Sequence, residues 1–179
     1  MPSSLETAAA EAVTALARPV PDFPQPGIVF RDLSPVFTDA SALRLVTDAL
    51  VAPFAGRVDV VAGVEARGFV LAAAAAYALG VGMLVIRKSG KLPGPVISED
   101  YALEYGAASL EVQPADLPAG CRVLLLDDVL ATGGTLVAAA SLIERAKWTV
   151  TGVGVVLELD GLGGRAALDG RELRSLVVT

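Results

Sequence analysis

Val123-Leu-Leu-Leu-Asp-Asp-Val-Leu-Ala-Thr-Gly-Gly-Thr135 sets an apolar run, two acids and a Gly-Gly loop flanked by threonines in one short stretch of a 179-residue chain. Four consecutive apolar residues suit a strand buried on both faces, predicted over Arg122–Leu126. The glycines then open a helix, Gly133–Lys147, and a second strand follows over Thr149–Leu157. In open α/β sheets ligands bind beyond the carboxyl ends of strands, so the loop between this strand and helix is the place to look. Backbone N–H groups of Ala131, Thr132, Gly133, Gly134 and Thr135, with the two threonine hydroxyls, can cradle an anion. No Gly-Lys-Ser/Thr follows, so this is no Walker A loop, and Gly-x-Gly-x-x-Gly is absent. Asp127 and Asp128 would repel a polyphosphate pressed against them; they suit the hydroxyls of a ribose diol whose 5′-phosphate lies in the loop. The plainer alternative is a capping acid pair beside a tight turn. The apolar strand, the acid pair and Thr-Gly-Gly-Thr together argue against it.

Working outward, a second strand-helix-strand unit is predicted over Val58–Ala62, Arg67–Leu79 and Met83–Ile86. Alternation of this kind gives a mostly parallel sheet with helices on both faces. Ahead of it, Ser3 or Ser4 can cap a helix to about Ala17, and four prolines between 19 and 26 then hold the chain extended through Gly27–Arg31. Asp39 or Ser41 starts a helix through Leu50. Between the two units, Lys88–Pro95 is turn-rich, and Val96–Gln113 reads as a β-hairpin around Leu103-Glu-Tyr-Gly106. No linker divides the chain, so one domain is expected over residues 1–179.

Composition narrows the chemistry. There is no His, which excludes Ser-His-Asp triads, His-based zinc sites and His phosphotransfer. The lone Cys121 can form neither an internal disulfide nor a thiolate metal cluster and accords with a reducing cytoplasm. A net charge of −6 argues against nucleic acid or an acidic membrane as partner. Yet from Ala66 to Ser98 there is no acid, while Arg67, Arg87, Lys88 and Lys91 gather four positive charges. Gly68–Ile86 is uncharged over 19 residues, but it is rich in Ala and broken by Gly80-Val-Gly82, so a buried helix, turn and strand fit better than a membrane span.

The 123–135 segment resembles the phosphoribosyl pyrophosphate motif of the type I phosphoribosyltransferases. Four further segments, Phe23–Asp32, Gly63–Phe69, Ile86–Pro93 and Tyr101–Gly106, resemble the adenine phosphoribosyltransferase family in the same order, so the likeness runs from about Pro21 to Leu168. It implies a Rossmann-like type I phosphoribosyltransferase fold with a β-hairpin hood, residues 88–113 forming the loop and hairpin and residues 1–35 an N-terminal helix and base-binding segment. It further implies a homodimer, magnesium as cofactor, and a reaction of phosphoribosyl pyrophosphate with adenine that yields AMP and pyrophosphate. By resemblance Asp127 and Asp128 orient the ribose hydroxyls, directly or through metal-bound water. Glu65, Ala66, Arg67, Arg87, Lys88 and Lys91 hold the pyrophosphate, with a non-proline cis peptide between Glu65 and Ala66. Val29, Phe30, Arg31 and Leu159 form the adenine pocket. Glu104 manages a proton at adenine while Tyr105 covers the site, and Arg67 completes the catalytic set. Arg67 at a helix N-terminus, where a cation is electrostatically disfavoured, supports a functional role. The alternatives are a transferase for hypoxanthine, guanine or xanthine, and a non-catalytic sensor of phosphoribosyl pyrophosphate. Two departures from the family pattern, Lys147-Trp148 and Ala107-Ala108, fall outside the matched motifs.

Overall fold

A computed structural model describes residues 3–23, 25–27, 29–103 and 106–179. Helix α1, Ser4–Leu16, opens with a capping box: the Glu6 N–H donates to Ser3 Oγ at 3.2 Å and the Ser3 N–H to Glu6 Oε2 at 2.6 Å. Strands β1, Arg18–Pro21, and β2, Val29–Asp32, form a separate antiparallel ribbon, where prolines are tolerated because a two-stranded ribbon is all edge. Helix α2, Ser34–Thr38, leads into α3, Ala40–Val51, whose cap Asp39 accepts from the Ala42 N–H at 2.8 Å.

The main sheet then begins with β3, Val60–Val64, followed by helix α4, Gly68–Leu79, and β4, Gly82–Lys88. Strands β5, Ile97–Leu103, and β6, Gly106–Val112, make the hairpin. The chain finishes with β7, Arg122–Leu130, α5, Gly134–Arg145, β8, Thr149–Glu158, α6, Gly164–Ala167, and β9, Leu173–Val178. Spatial order in the seven-stranded sheet is β5-β6-β4-β3-β7-β8-β9. The strands from β4 to β9 in that order run parallel, and the hairpin adds antiparallel to the outer edge of β4.

Alternation along β7 divides the core in two. Val123 and Leu125 face α5 together with Val153, Val155 and Trp148, whereas Leu124 and Leu126 face α3 and α4 with Val61 and Val156. Trp148 is 3% exposed and its Nε1–H donates to the Leu117 carbonyl at 3.2 Å, so one of the two departures from the family pattern is a core side chain with its polar atom satisfied.

Three differences from the sequence expectations bear on the site. Strand β7 runs four residues past Leu126 because β8 keeps pairing with it, Asp127 opposite Val155 and Leu130 opposite Glu158. The acid pair therefore lies within the strand rather than beyond it. Helix α6 and strand β9 were not foreseen: one helical turn has no periodicity to read, and β9 alternates weakly, with no fully buried position. The uncharged stretch Gly68–Ile86 is a 12-residue helix, a left-handed Gly80 cap and a sheet strand; among the described residues no helix is long and apolar enough to cross a membrane.

Candidate active site

The strand order reverses at β3. From β3 the chain crosses through α4 to β4 on one side, and β7 and β8 build outward on the other, so the gap between the carboxyl ends of β3 and β7 is a topological switch point. Pairing between the two strands stops at Gly63 opposite Leu126, which leaves Asp127 and Asp128 joined to β8 on one edge and open toward the Glu65–Arg67 loop on the other. Helices α4 and α5 both start at this gap, and neither N-terminus has a side-chain cap. The Phe69 and Val70 N–H groups of α4 donate back to the Ala66 and Arg67 carbonyls, but both helices turn their positive dipole ends toward this gap.

Close packing of α4 on β3 requires glycine. A Cβ at Gly63 would lie 2.5 Å from the Gly68 carbonyl oxygen and 2.7 Å from Ala72 Cβ, and one at Gly68 would lie 3.1 Å from Asp127 Oδ1. This approach brings Arg67 onto the acid pair: its Nε is 2.7 Å from Asp128 Oδ2. The Asp128 side chain is 7% exposed, and Oδ2 accepts no hydrogen bond of good geometry. The same guanidinium lies over the Phe30 ring, 5.2 Å from its centroid, and the Phe23 ring meets Phe30 edge-on at 5.2 Å. Burial pushes the Asp127 carboxyl well above the usual carboxylate range, and the neighbouring Asp128 adds to the rise. Burial raises Asp128 as well, but Arg67 and hydrogen bonds pull it back. Asp127 is therefore the partner that keeps its proton longer as pH rises.

Residues 131–133 form a loop, and Gly134 and Thr135 open α5. Together with the end of β7 they line a cavity of about 80 Å³, and Gly133 takes φ +87°, a conformation that glycine adopts without strain. Across the gap, the Glu65–Ala66 peptide is cis. The Glu65 carboxylate accepts from Arg87 Nε at 3.3 Å, Arg87 Nη2 at 3.4 Å and the Lys88 N–H at 3.1 Å, and the Arg87 bonds are the main reason its carboxyl is held below the usual range. Arg87 Nη1 also donates to the Lys91 carbonyl at 3.1 Å. Of the four cations gathered in the sequence, Arg67 and Arg87 are thus engaged by carboxylates, whereas Lys88 and Lys91 make no ion pair among the described residues.

The structure brings together Phe30, Arg67, Asp127 and Asp128, and separately Glu65, Arg87, Lys88 and Lys91 around one loop. Leu159, at the carboxyl end of β8, packs on the core and lines an open cavity of about 710 Å³ beside β8 and α6. Val29 and Arg31 are exposed on the ribbon, and their place in the extended strand sets them opposite Phe30, so only their backbone can share its site. Glu104 and Tyr105 lie outside the described residues. Sequence reasoning missed two supporting side chains. Glu111 accepts from Ser89 Oγ at 2.6 Å and the Gly90 N–H at 3.0 Å, and Glu158 is bound by Arg165; each is a buried acid in an apolar strand, which was the available signal.

A family model of the phosphoribosyl transferase domain matches residues 44–173, and an adenine phosphoribosyltransferase of Arthrobacter sp. (strain FB24) is 65% identical over 165 residues, covering 92% of this chain and 89% of its own. This chain belongs to the adenine phosphoribosyltransferase family. Solved structures of that family have the same fold. The adenine phosphoribosyltransferase of Thermoanaerobacter pseudethanolicus superposes with a TM-score of 0.90 at 42% identity, covering 95% of this chain and 99% of its own. That of Saccharomyces cerevisiae, complexed with D-2,5-dideoxy-2,5-imino-altritol 1,6-bisphosphate and adenine, gives 0.90 at 35% identity, covering 96% and 99%. In this member of the adenine phosphoribosyltransferase family the acid pair, the 131–135 segment and the Glu65–Arg67 loop lie around one switch point.

Proposed function

We propose that the protein transfers the 5-phosphoribosyl group of phosphoribosyl pyrophosphate to N9 of adenine, giving AMP and pyrophosphate in purine salvage. The observation that carries this reading is the convergence of an anion loop, an acid pair and a cationic loop at the β3/β7 switch point. Each matches one part of the donor substrate. The 5′-phosphate fits the 131–135 cradle, the ribose diol faces Asp127 and Asp128, and the pyrophosphate meets Arg67, the α4 N-terminus, Lys88 and Lys91.

In the reaction the C1′–O bond to pyrophosphate breaks, the C1′–N9 bond forms from the opposite face, and the base loses one proton. Positive charge develops on the ribose, next to two carboxylates, while negative charge accumulates on the leaving group, next to cations and helix N–H groups. Phe30 offers the purine an aromatic face, with backbone of Val29 and Arg31 at its edge and Leu159 as a further wall. Glu104, with Tyr105 following it in the chain, is proposed to take or polarise the adenine proton; its support is the Tyr-x-Leu-Glu-Tyr-Gly resemblance. The donor set fits magnesium held mainly by substrate. Asp128 Oδ2 is buried and free of good hydrogen bonds, and among the described residues no group of three or more His, Cys, Asp or Glu side chains could cage a metal. When bound, the ion would neutralise charge on the pyrophosphate oxygens.

A homodimer is part of the proposal. Helix α4 presents Val70 and Tyr77 to solvent, Tyr77 at 91% exposure, beside an open groove of about 430 Å³ that includes Leu43 and Ala74. A cytoplasmic location accords with the free Cys121. Turnover measured with adenine, hypoxanthine, guanine and uracil, each with phosphoribosyl pyrophosphate and magnesium, tests the function. Adenine should be the preferred base. Preference for an oxopurine would reject the assignment of the base, and tight donor binding without turnover on any base would support the sensor.

A further inference from the structure

The rear wall of the 131–135 loop is the backbone of α6. A Cβ at Gly164 would lie 2.2 Å from the Ala131 carbonyl oxygen, and one at Gly133 would lie 3.0 Å from the Gly164 carbonyl oxygen and 3.1 Å from Ala167 Cβ. Helix α6 has only four residues, far too few to persist without tertiary support, so something else must hold it against the loop.

That anchor is visible one residue further on. Arg165 Nε donates to Glu158 Oε1 at 2.8 Å, its Nη2 reaches both Glu158 Oε2 and Ser175 Oγ, and the Ser175 hydroxyl donates to the same carboxylate. Glu158 closes β8 with its side chain 6% exposed, and Ser175 belongs to β9. The strand register sets Glu158 opposite Leu130, and the next N–H, from Leu159, donates to the Leu130 carbonyl at 2.8 Å. One carboxylate thus ties β8, β9 and α6 together, beside the point where β7 becomes the loop. The Glu158 carboxylate is buried while Arg165 stays about half exposed, so the bonds restrain α6 against the loop from the strand side.

We propose that the Glu158–Arg165 pair is a positioning device for the 5′-phosphate cradle, setting loop geometry without touching the reacting atoms. The proposal rests on the reading of residues 131–135 as the site of the 5′-phosphate. Because AMP and phosphoribosyl pyrophosphate share that phosphate and pyrophosphate lacks it, the two classes of ligand separate a local effect from a general loosening.

The test uses the full chain with Arg165→Ala and Glu158→Gln. KM for phosphoribosyl pyrophosphate and Kd for AMP should rise together by about tenfold, as expected when the support of a binding loop is lost. The kcat and the Kd of pyrophosphate measured with magnesium should stay within about twofold. Arg165→Lys, which keeps the charge but not the planar fork, should fall between wild type and Arg165→Ala, and it gives the same readout if the alanine variant does not fold. Equal weakening of AMP and pyrophosphate, or a fall in kcat at unchanged KM, would overturn the proposal. A wild-type protein that binds neither AMP nor phosphoribosyl pyrophosphate would overturn the reading of the loop, and with it this inference.

Discussion

Asp127 is half-buried beside Asp128 and against the first turn of α4, and desolvation there is the main reason its carboxyl is held above the usual range. The sign of the linkage follows. Stability tied to the protonated form is fully present below the ordinary carboxylate range and is lost as pH rises through the raised native value. Asp127→Asn removes that loss while still accepting the Asp128 N–H, which donates to Asp127 Oδ1 at 2.9 Å. The variant should melt above wild type at neutral pH and converge with it near about pH 4, while turnover falls by about tenfold or more from the loss of charged hydrogen bonds to ribose. Melting curves across pH check this, and a lower Tm at neutral pH would contradict it. At this scale the sequence was informative wherever residue type alone limits the chemistry: Asp127-Asp128 and the Thr-Gly-Gly-Thr run fall at the junction of β7 and α5, although the acids lie inside the strand rather than past its end. The contact of Arg67 with Phe30 was not legible, because it joins the loop after β3 to a strand of the separate β1–β2 ribbon, far apart in the chain.

Among the elements, β3 and α4 depend on the absence of side chains between them. Gly63→Ala must push α4 off the strand, because the new methyl meets backbone and a packed alanine rather than a flexible side chain. Overpacking of this kind costs about 1–3 kcal/mol, read as a lower urea midpoint. Because Arg67 moves with α4, kcat/KM should fall by about tenfold or more even where the variant is folded. The hairpin and the cationic loop are linked in a different way. Glu111 of β6 accepts from both Ser89 and Gly90, so Glu111→Gln sets an amide NH2 against one of these donors. The loop carrying Lys88 and Lys91 should loosen, raising the KM for pyrophosphate in the reverse reaction by about three- to tenfold, with AMP binding unchanged. An unaltered pyrophosphate KM would show that the loop is held by other means. The strand-helix-strand units and the hairpin were legible because apolar runs and turn residues report burial directly. Strand β9 and helix α6 were not, since the first is covered only partly and the second is shorter than any helical repeat.

For the whole molecule, an acidic chain keeps a local cationic site by clearing acids from one stretch of sequence rather than by changing its total charge. The folded chain adds that half of those cations are already balanced by Glu65 and Asp128, so the attraction left for a pyrophosphate comes from Lys88, Lys91 and the helix ends. The exposed face of α4 is the other feature at this scale. Tyr77→Glu places a charge in the proposed dimer contact, and sedimentation should then report a particle near the 18.2 kDa of one chain where wild type gives twice that. An unchanged dimer would move the contact elsewhere.

Trp148 is the only tryptophan in the chain, and it is sealed in the core next to the first residue of β8. The candidate site lies at the other end of the parallel strands; β8 alone spans ten residues, about 30 Å. Its indole emission should therefore be blue-shifted in the native protein and indifferent to substrate, changing only when the α5 face of the sheet opens. The molecule carries an optical gauge of its own unfolding that ligand binding does not disturb.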